Sequence, residues 1–341
     1  MTTAVRKLAR GLAAAGADMV VACDGGRPTE TDGIRWKVVP HVGAFAFRAP
    51  IGLGRVLKNA DLLVLHSAWV LHNVRAAAIA DDIGVPYLLA PRGAYDPMIV
   101  TRKRLLKVAW WAMFERSLVR RATGLHIFFE AERTHIDAIG HHGAVVVAPN
   151  GVDVPAQRVW NRPGGGYVLW LGRFDIEHKG LDLLLRALAL LPLGRRPLLR
   201  LHGPDRGGQK ERVRQLARTL GVADSVVVGP PVYGDDKWKL LGDASAFAYP
   251  SRWEAFGNSA AEAVGLGLPT LVTPYPLGCY LASRGGAVLA EPTPEDLARG
   301  METVLSSAAA GIASTGADLI RREFNWTDVS GSWLRQMEAL V

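Results

Sequence analysis

The distribution of hydrophobic positions predicts two similar sets of β-strands. Short apolar runs of strand length alternate with longer stretches of helical periodicity from end to end, which is typical of parallel sheets built from βαβ units. The predicted strands are 18–23, 36–39, 61–66, 86–90, 124–128 and 144–148 in the first half, and 167–172, 198–203, 225–228, 246–249, 269–273 and 287–290 in the second. We therefore predict an α/β chain with two doubly wound domains.

The two sets of strands are separated by a segment in which periodicity stops and Pro155, Pro163 and three consecutive glycines occur. The predicted organisation is an N-terminal Rossmann-like domain over 1–152, a hinge over 153–166, a C-terminal Rossmann-like domain over 167–322, and a last helix over 323–341 that returns toward the first domain. Ligands bind beyond the carboxyl ends of strands in open α/β sheets. We therefore expect the two domains to face each other across a cleft.

The beginning of the chain departs from this scheme. Residues 5–15 have the Ala and Leu content of a helix and precede any strand, whereas a Rossmann-like domain normally begins with a strand and a glycine-rich turn. We expect either that the first strand is absent from this sequence or that translation starts further upstream.

Composition narrows the class of protein. The 341 residues are 49% hydrophobic and 21% charged, which suits two buried cores and excludes a disordered chain. Cys23 and Cys279 have no spacing that suggests zinc or a redox dithiol, and no apolar run reaches the roughly 18 residues of a membrane-spanning helix. We expect a cytoplasmic protein.

The net charge of +8 is concentrated in the first half. Residues 1–153 contain 19 Lys and Arg against 13 Asp and Glu, an excess of 6, whereas the remainder contains 21 against 19, an excess of 2. This excess predicts an anionic partner, either a phosphate-bearing substrate or anionic lipid. No zinc-finger, aromatic RNA-binding or basic-zipper signature accompanies the charge, so we do not expect nucleic acid.

The segment 101–121 has a net charge of +6 and includes Trp110 and Trp111. Basic residues with tryptophans on a helix suit an anionic lipid surface, and this interpretation predicts a peripheral position on the inner face of the membrane. The alternative is a helix whose apolar face is core and whose basic face is solvated.

Two glutamates follow the buried strand 246–249. Glu254 comes at the strand end, and Glu262 lies about one turn inside a helix predicted over 259–266. A strand, a glycine-bearing turn and a helix N-terminus together present backbone N–H groups that suit a phosphate. A carboxylate in such a helix can accept hydrogen bonds from both hydroxyls of a ribose. The alternative is that both are surface residues near a helix start.

A second cluster follows strand 167–172. Arg173 and Lys179 flank a short loop before an apolar helix. Two cations that converge on one place repel each other unless an anion lies between them, and a diphosphate fits. The alternative is a solvated basic loop balanced by Asp175 and Glu177.

Three stretches together resemble a known family. GRFDIEHKGLDLLLRAL begins at Gly172, PSRWEAFGNSAAEAVGLGLP spans 250–269, and PNGVD spans 149–153. They resemble the retaining glycosyltransferases of family 4, which have the GT-B fold of two Rossmann-like domains. The resemblance extends from about Ala4 to the C-terminus. The family's first strand and glycine-rich loop have no counterpart, so the expected fold is GT-B with the first strand of the N-terminal domain missing.

The resemblance implies roles for the residues of the second half. Arg173 and Lys179 would hold the donor diphosphate, Glu262 the ribose and Glu254 the transferred sugar. The other donor-binding residues that it implies are Gly172, Gly203, Phe256, Gly257 and Asn258, the last three through their backbone amides.

The resemblance also implies an acceptor side in the first half. His66 ends the run DLLVLH, and Arg92 and Gly93 follow the next strand in PRGAYDP. These positions match the edge of the cleft where a His or Arg approaches the sugar being transferred. The alternatives are a structural histidine and an arginine that only fixes a loop.

The implied reaction moves a sugar from a nucleotide-diphosphate sugar to an acceptor hydroxyl with retention of configuration, in polysaccharide, glycolipid or glycosylated-metabolite synthesis. The acceptor would be a sugar, a lipid-linked molecule or a small molecule. We expect no cofactor and no metal, since the sequence has no Asp-x-Asp triplet of the kind that holds a divalent ion in the other major transferase fold. The alternatives are a sugar-nucleotide epimerase or phosphorylase of the same plan, and a truncated, non-catalytic nucleotide-sugar-binding protein. A dehydrogenase is not expected, because no strand is followed by a three-glycine turn.

Overall fold

The computed structural model describes residues 2–23, 25, 33–44, 47–102, 104–155 and 166–341. The chain divides into two compact units, the first comprising Met1–Gly151 with Trp326–Val341 and the second comprising Val152–Asn325. The C-terminal segment thus belongs to the first unit. Most of the predicted hinge, residues 156–165, lies outside the described residues.

The first unit contains all six strands predicted for the first half, and a short antiparallel pair, β3 and β4, that was not predicted. Its strands are β1 (Met19–Cys23), β2 (Ile34–Val38), β3 (His41–Val42), β4 (Ala49–Pro50), β5 (Leu63–His66), β6 (Tyr87–Ala90), β7 (Gly124–Ile127) and β8 (Ala144–Val147). Its helices up to residue 151 are α1 (Thr2–Ala14), α2 (Leu53–Leu57), α3 (Leu71–Asp82), α4 (Pro97–Val100), α5 (Arg104–Trp110), α6 (Arg116–Arg121) and α7 (Arg133–Asp137), with a π-helical segment at Trp111–Glu115 and a 3-10 helix at Glu130–Glu132.

The parallel strands of the first unit form two separate sheets. One has the order β5-β6-β7-β8, and the other is the pair β1-β2. Within the described ranges, neither β1 nor β2 pairs with the four-stranded sheet. This separation agrees with the prediction of a sheet that lacks one strand.

The second unit contains one sheet and all six strands predicted for the second half. Its strands are β9 (Val168–Leu171), β10 (Leu199–His202), β11 (Val226–Gly229), β12 (Ala246–Tyr249), β13 (Thr270–Val272) and β14 (Val288–Leu289). Its helices are α8 (Leu181–Leu190), α9 (Gln209–Thr219), α10 (Gly234–Gly242), α11 (Asn258–Gly265), α12 (Pro276–Ala282), α13 (Pro294–Leu305) and α14 (Ala309–Glu323), with 3-10 helices at Leu193–Arg195 and Ala223–Ser225.

The sheet of the second unit is wholly parallel, in the order β11-β10-β9-β12-β13-β14. The sequences of β9 and β12, VLWL and AFAY, are apolar throughout and buried along their whole length, as in a sheet covered by helices on both faces. The strand order reverses between β9 and β12. In such sheets this switch point is where a crevice for ligands opens beyond the carboxyl ends of the strands.

The last helix, α15 (Trp326–Glu338), completes the core of the first unit. Trp333 is 1% exposed and its indole stacks on His126 with 4.3 Å between ring centroids. Gln336 binds the backbone N–H and C=O of Val147 at 2.9 and 3.0 Å. Leu8 of α1 lies in the same buried cluster as Trp333, so α15 packs between α1 and the sheet.

In the described part of the chain, one pair of helices has the length and apolar composition of a membrane-spanning segment. No single helix there is long and apolar enough to cross a bilayer, and α13 and α14 pass that test only together, with a bend of 90° between them.

Candidate functional site

Three loops meet closely at the switch point of the second unit. A Cβ atom on Gly203, after β10, would lie 1.7 Å from the carbonyl oxygen of Gly172, after β9. A Cβ on Gly180 would lie 1.9 Å from the carbonyl oxygen of Pro250, after β12, and Gly180 has a left-handed φ of 62°. Only glycine allows these approaches. Gly172 and Gly203, predicted as donor-binding residues, thus bring the strand-end loops together.

Lys179 and Glu254 are brought together by this packing. Lys179 is 8% exposed, and its Nζ forms an ion pair with Oε1 of Glu254 and donates to the hydroxyl of Tyr249 at 3.2 Å. That hydroxyl donates to the same carboxylate oxygen at 3.2 Å. Burial, with the charge of Glu254 adding, raises the pKa of Tyr249 well above its usual value, so the hydroxyl remains a donor.

His178 completes this group, which we call the Lys179 cluster (His178, Lys179, Tyr249 and Glu254). Its Nε2 lies 3.6 Å from Oε1 of Glu254 and 3.0 Å from the carbonyl oxygen of Trp253, and its ring stacks on the indole of Trp253. Since a carbonyl only accepts, Nε2 carries the proton. Burial, followed by the charge of Lys179, lowers the pKa of His178 to about 4, so this imidazole is neutral at neutral pH.

Arg173 lies beside the cluster but is exposed. Its charge lowers the pKa of Tyr249, against the larger effect of burial, so its guanidinium is near enough to act on that hydroxyl. Among the described residues, its side chain has no hydrogen bond or ion pair. Arg173 is therefore available to an anion at the carboxyl end of β9.

Glu262 lies apart from the Lys179 cluster, on α11. This helix begins at Asn258, after Gly257 with a left-handed φ of 86°, so its first N–H groups are at the carboxyl end of β12. The carboxylate of Glu262 accepts from Nζ of Lys237, on α10, at 2.7 Å. Phe256 is 2% exposed and packs near Phe324, so only its backbone can take part in binding.

His66 and Arg92 are brought together in the first unit, at the carboxyl ends of β5 and β6. Nε of Arg92 lies 3.4 Å from Nδ1 of His66, and its Nη1 donates to Oδ1 of Asn150 at 3.0 Å. The guanidinium also lies 5.2 Å from the centroid of the Phe128 ring. The ends of β5, β6 and β8 therefore contribute His66, Arg92 and Asn150 to one polar cluster.

The protonation of this cluster follows from its burial. Burial, followed by the charge of Arg92, lowers the pKa of His66 to about 3, and burial lowers the pKa of Arg92 to about 10. His66 is therefore neutral at neutral pH. Because Nδ1 accepts from the guanidinium, the ring proton is on Nε2, and the imidazole can donate one hydrogen bond to a ligand.

The loops around this cluster hold strained backbone. Ser67, Trp69 and Arg92 have φ values of 78°, 62° and 55°, and Gly93 follows with 77°. Positive φ is uncommon for residues other than glycine and rare for a bulky one such as Trp69, and such strain concentrates at functional sites.

Four residues of these clusters were not predicted. His178 and Tyr249 are direct sequence neighbours of Lys179 and Pro250, and Asn150 lies in the quoted run PNGVD, so each stood beside a recognised motif. Lys237 had no such signal. In the part of the chain that is described, no group of three or more His, Cys, Asp or Glu is placed to hold a metal ion.

Comparison with known proteins covers both halves of the chain. Residues 157–316 match the family model described as glycosyl transferases group 1, and residues 1–151 match that of a glycosyl transferase 4-like domain. A D-inositol 3-phosphate glycosyltransferase of Acidothermus cellulolyticus is 37% identical over 219 residues, which are 61% of this chain and 46% of that protein. A GDP-mannose:cellobiosyl-diphosphopolyprenol alpha-mannosyltransferase of Komagataeibacter xylinus is 29% identical over 211 residues, 58% of this chain and 52% of that protein.

The chain spans about half the length of the curated relatives that it matches. Among solved structures, Anabaena HepE in complex with UDP and glucose superposes with a TM-score of 0.77 at 18% identity, over 99% of this chain and 95% of that one. This likeness concerns the fold, which is GT-B. Matched in both halves by glycosyltransferase family models, the chain belongs to the group 1 glycosyltransferases of the family 4 type.

Proposed function

We propose that the chain transfers a sugar from a nucleotide-diphosphate sugar to an acceptor hydroxyl with retention of configuration. The observation that supports this most is the Lys179 cluster at the switch point between β9 and β12, with Glu262 on the helix that follows. A buried cation, an exposed guanidinium and a helix N-terminus suit a diphosphate, and a carboxylate further along the helix suits a ribose.

In the proposed mechanism, negative charge gathers on the departing diphosphate while the sugar becomes oxocarbenium-like. Arg173, Lys179 and the amides of Phe256, Gly257 and Asn258 would stabilise that charge, which is preorganised electrostatic catalysis. Glu254 would bind hydroxyls of the transferred sugar, since its carboxylate is already oriented by Lys179 and Tyr249. The acceptor hydroxyl would attack from the leaving-group face and pass its proton to the phosphate. Because the two cations and the amides would stabilise the charge of the leaving group, the step would need no metal.

On the acceptor side, we propose that His66 and Arg92 contact the reacting sugar. Nε2–H of His66 would donate to a sugar hydroxyl, and Gly93 would allow the loop to approach closely. Because this imidazole is neutral, its role is to orient the sugar and not to supply a proton.

We include a biological setting in the proposal. The products would be polysaccharides, glycolipids or glycosylated metabolites, and the relative from Komagataeibacter xylinus is named for an acceptor linked to a polyprenol diphosphate. The chain would work in the cytoplasm, peripherally on the inner face of the membrane when its acceptor is lipid-linked.

The test is a panel of UDP-, GDP-, ADP- and TDP-sugars, measured first by thermal stabilisation and then by sugar transfer to a panel of acceptors. A donor at 100 times its dissociation constant adds about 2.7 kcal/mol to stability. Transfer with the anomeric configuration of the donor is the expected result, unchanged by a metal chelator. Binding without turnover would indicate a nucleotide-sugar-binding protein, and a changed donor without acceptor would indicate an epimerase. Either result would reject the proposal.

A further inference from the structure

The outer surface of α5 and the π-helical segment exposes side chains that a soluble helix normally buries. Leu105 is 87% exposed and Leu106 is 70% exposed, and Val108 and Met113 are more than half exposed. A surface helix of a globular protein turns its apolar side chains toward the core, whereas these four side chains face outward. We call these four residues the apolar face.

The tryptophans of this segment do not belong to the apolar face. Trp111 packs on the core of the first unit, with its ring 6.3 Å from that of Trp69 and 6.5 Å from that of Tyr95. Trp110 is half-buried, and its Nε1 donates to Oε2 of Glu115 at 2.9 Å. The residues open to a partner are therefore aliphatic.

Positive charge borders the apolar face at both ends. Arg102 and Arg104 precede it along the chain, Arg116 and Arg120 follow it, and all four are exposed. The acidic residue of this stretch, Glu115, is fully buried and accepts from the backbone N–H of Trp69 and the hydroxyl of Tyr95 as well as from Trp110. It is therefore turned away from the surface that the arginines present.

We propose that the apolar face docks on an anionic bilayer. The leucines would enter the boundary between headgroups and acyl chains, and the arginines would bind lipid phosphates, the usual division of labour in interfacial helices. This inference deepens the membrane location in the proposed function by naming the surface, and it holds independently of the sugar transferred.

Other occupants fit the charge and chemistry less well. A second copy docked about a two-fold axis would place the same arginines against each other, which is repulsive. A nucleic acid would attract the arginines, but aliphatic side chains neither stack on bases nor bind their edges as aromatic and polar ones do. An anionic lipid surface satisfies both the charge and the leucines.

The test is co-sedimentation of the full chain with vesicles of phosphatidylcholine alone and of phosphatidylcholine with one third phosphatidylglycerol. At low salt we expect binding to the anionic vesicles only. Leu105→Asn with Leu106→Asn should weaken the partition into anionic vesicles at least about tenfold, since two leucine side chains would no longer be buried in the bilayer. Arg116→Gln with Arg120→Gln should weaken it at low salt, with little difference from wild type at high salt, where charge is screened.

The matched control is Leu193→Asn with Arg195→Gln, which alters an 82% exposed leucine and an exposed arginine of the second unit. This variant should bind as wild type does. Equal binding to neutral vesicles, no binding at low salt, or equal losses in the control would overturn the proposal. The face would instead be assigned to a second copy if the wild-type chain did not bind vesicles and light scattering showed a dimer that the leucine variant dissociates. Nucleotide-sugar binding without lipid, measured on the same samples, separates these outcomes from failure of the proposed function.

Discussion

The ammonium of Lys179 neutralises a carboxylate that would otherwise be poorly compensated in a half-buried site. Oε1 of Glu254 forms the ion pair with Lys179 and also accepts a hydrogen bond from the hydroxyl of Tyr249. A donor diphosphate would therefore meet a cation that already has a partner, and it would add its own charge beside Arg173. The two cations thus differ in their expected contribution to stability.

We predict that Lys179→Ala and Arg173→Ala each lower turnover on the order of 100-fold, as the loss of one donor to a developing charge does. Only Lys179→Ala should also destabilise the second unit, because it leaves Glu254 without its buried partner. Turnover and urea unfolding of both variants check this. Wild-type turnover in either variant would remove that residue from the diphosphate site.

The two glutamates should separate nucleotide binding from transfer. Glu262→Gln should weaken the affinity for the bare nucleoside diphosphate about tenfold, because an amide presents one acceptor where the carboxylate presents two. Glu254→Gln should keep that affinity and lower turnover. Isothermal titration with the nucleotide is the measurement, and equal losses of affinity in the two variants would contradict the assignment.

The lowered pKa of His66 predicts a pH dependence of stability. The unfolded imidazole takes a proton near its usual pKa of 6.5, whereas the folded one does so near 3. Stability from this residue is therefore present above pH 6.5 and is lost as the pH falls toward 3. The difference in free energy of unfolding between wild type and His66→Gln should shrink by up to about 2 kcal/mol from pH 6.5 to 5.

Because wild type and His66→Gln are compared at the same pH, the contributions of other titrating groups near this cluster cancel. Glu132, whose pKa burial raises to about 7, acts in the opposite direction but is present in both. His142→Gln, at an exposed position, is the matched control and should keep a constant difference from wild type. A constant difference for His66→Gln as well would show that His66 titrates normally in the folded chain.

At the scale of elements, strands were easier to predict than their arrangement. Runs such as VLWL and AFAY are apolar at every position and bounded by turn residues, which marks buried strands. Strand order and register depend on long-range packing, so the order around β9 could not be predicted. For the first unit, the sequence indicated that one strand was missing but not which strands would be separated. For the same reason, the ion pair between Lys179 and Glu254 across the sheet edge could not be predicted from the sequence.

The π-helical segment shows why helical periodicity alone could not decide which side chains of segment 101–121 face the core. Its turn contains an additional residue, so the positions after Trp110 face directions that a 3.6-residue period does not predict. For the segment 101–121, the sequence left open whether the tryptophans face lipid or the core, and the structure places Trp111 on the core and Glu115 inside. Burial raises the pKa of Glu115, against the opposing effect of its hydrogen-bond donors.

We predict that Glu115→Gln lowers the free energy of unfolding by about 1–3 kcal/mol, because an amide cannot accept from all three donors. The change should also lower turnover without changing nucleotide affinity, since Trp69 belongs to the strained loop after His66. Denaturant unfolding and kinetics measure the two effects. Glu130→Gln, whose carboxylate pairs with Arg133 at the surface, should change neither.

At the scale of the whole molecule, the C-terminal helix contributes to a unit that is otherwise made of the first half of the chain. We predict that Trp333→Ala lowers the free energy of unfolding of the first unit by about 3–5 kcal/mol, as for other buried aromatic residues, and leaves nucleotide binding by the second unit intact. Urea unfolding followed by near-UV circular dichroism is the measurement. Leu193→Ala, at an exposed position of the second unit, is the control, and an equal loss there would argue against a specific role of α15.

The position of α15 has a consequence for biosynthesis. Domains generally fold as units while the ribosome makes the chain from its N-terminus. The second unit, Val152–Asn325, is contiguous and can be complete before Trp326 is made. Leu8 and its neighbours, although translated before the second unit, remain without the indole of Trp333 until that residue has been made. The first unit is therefore completed only after the second unit has been made, and in the meantime its apolar surface is available to chaperones.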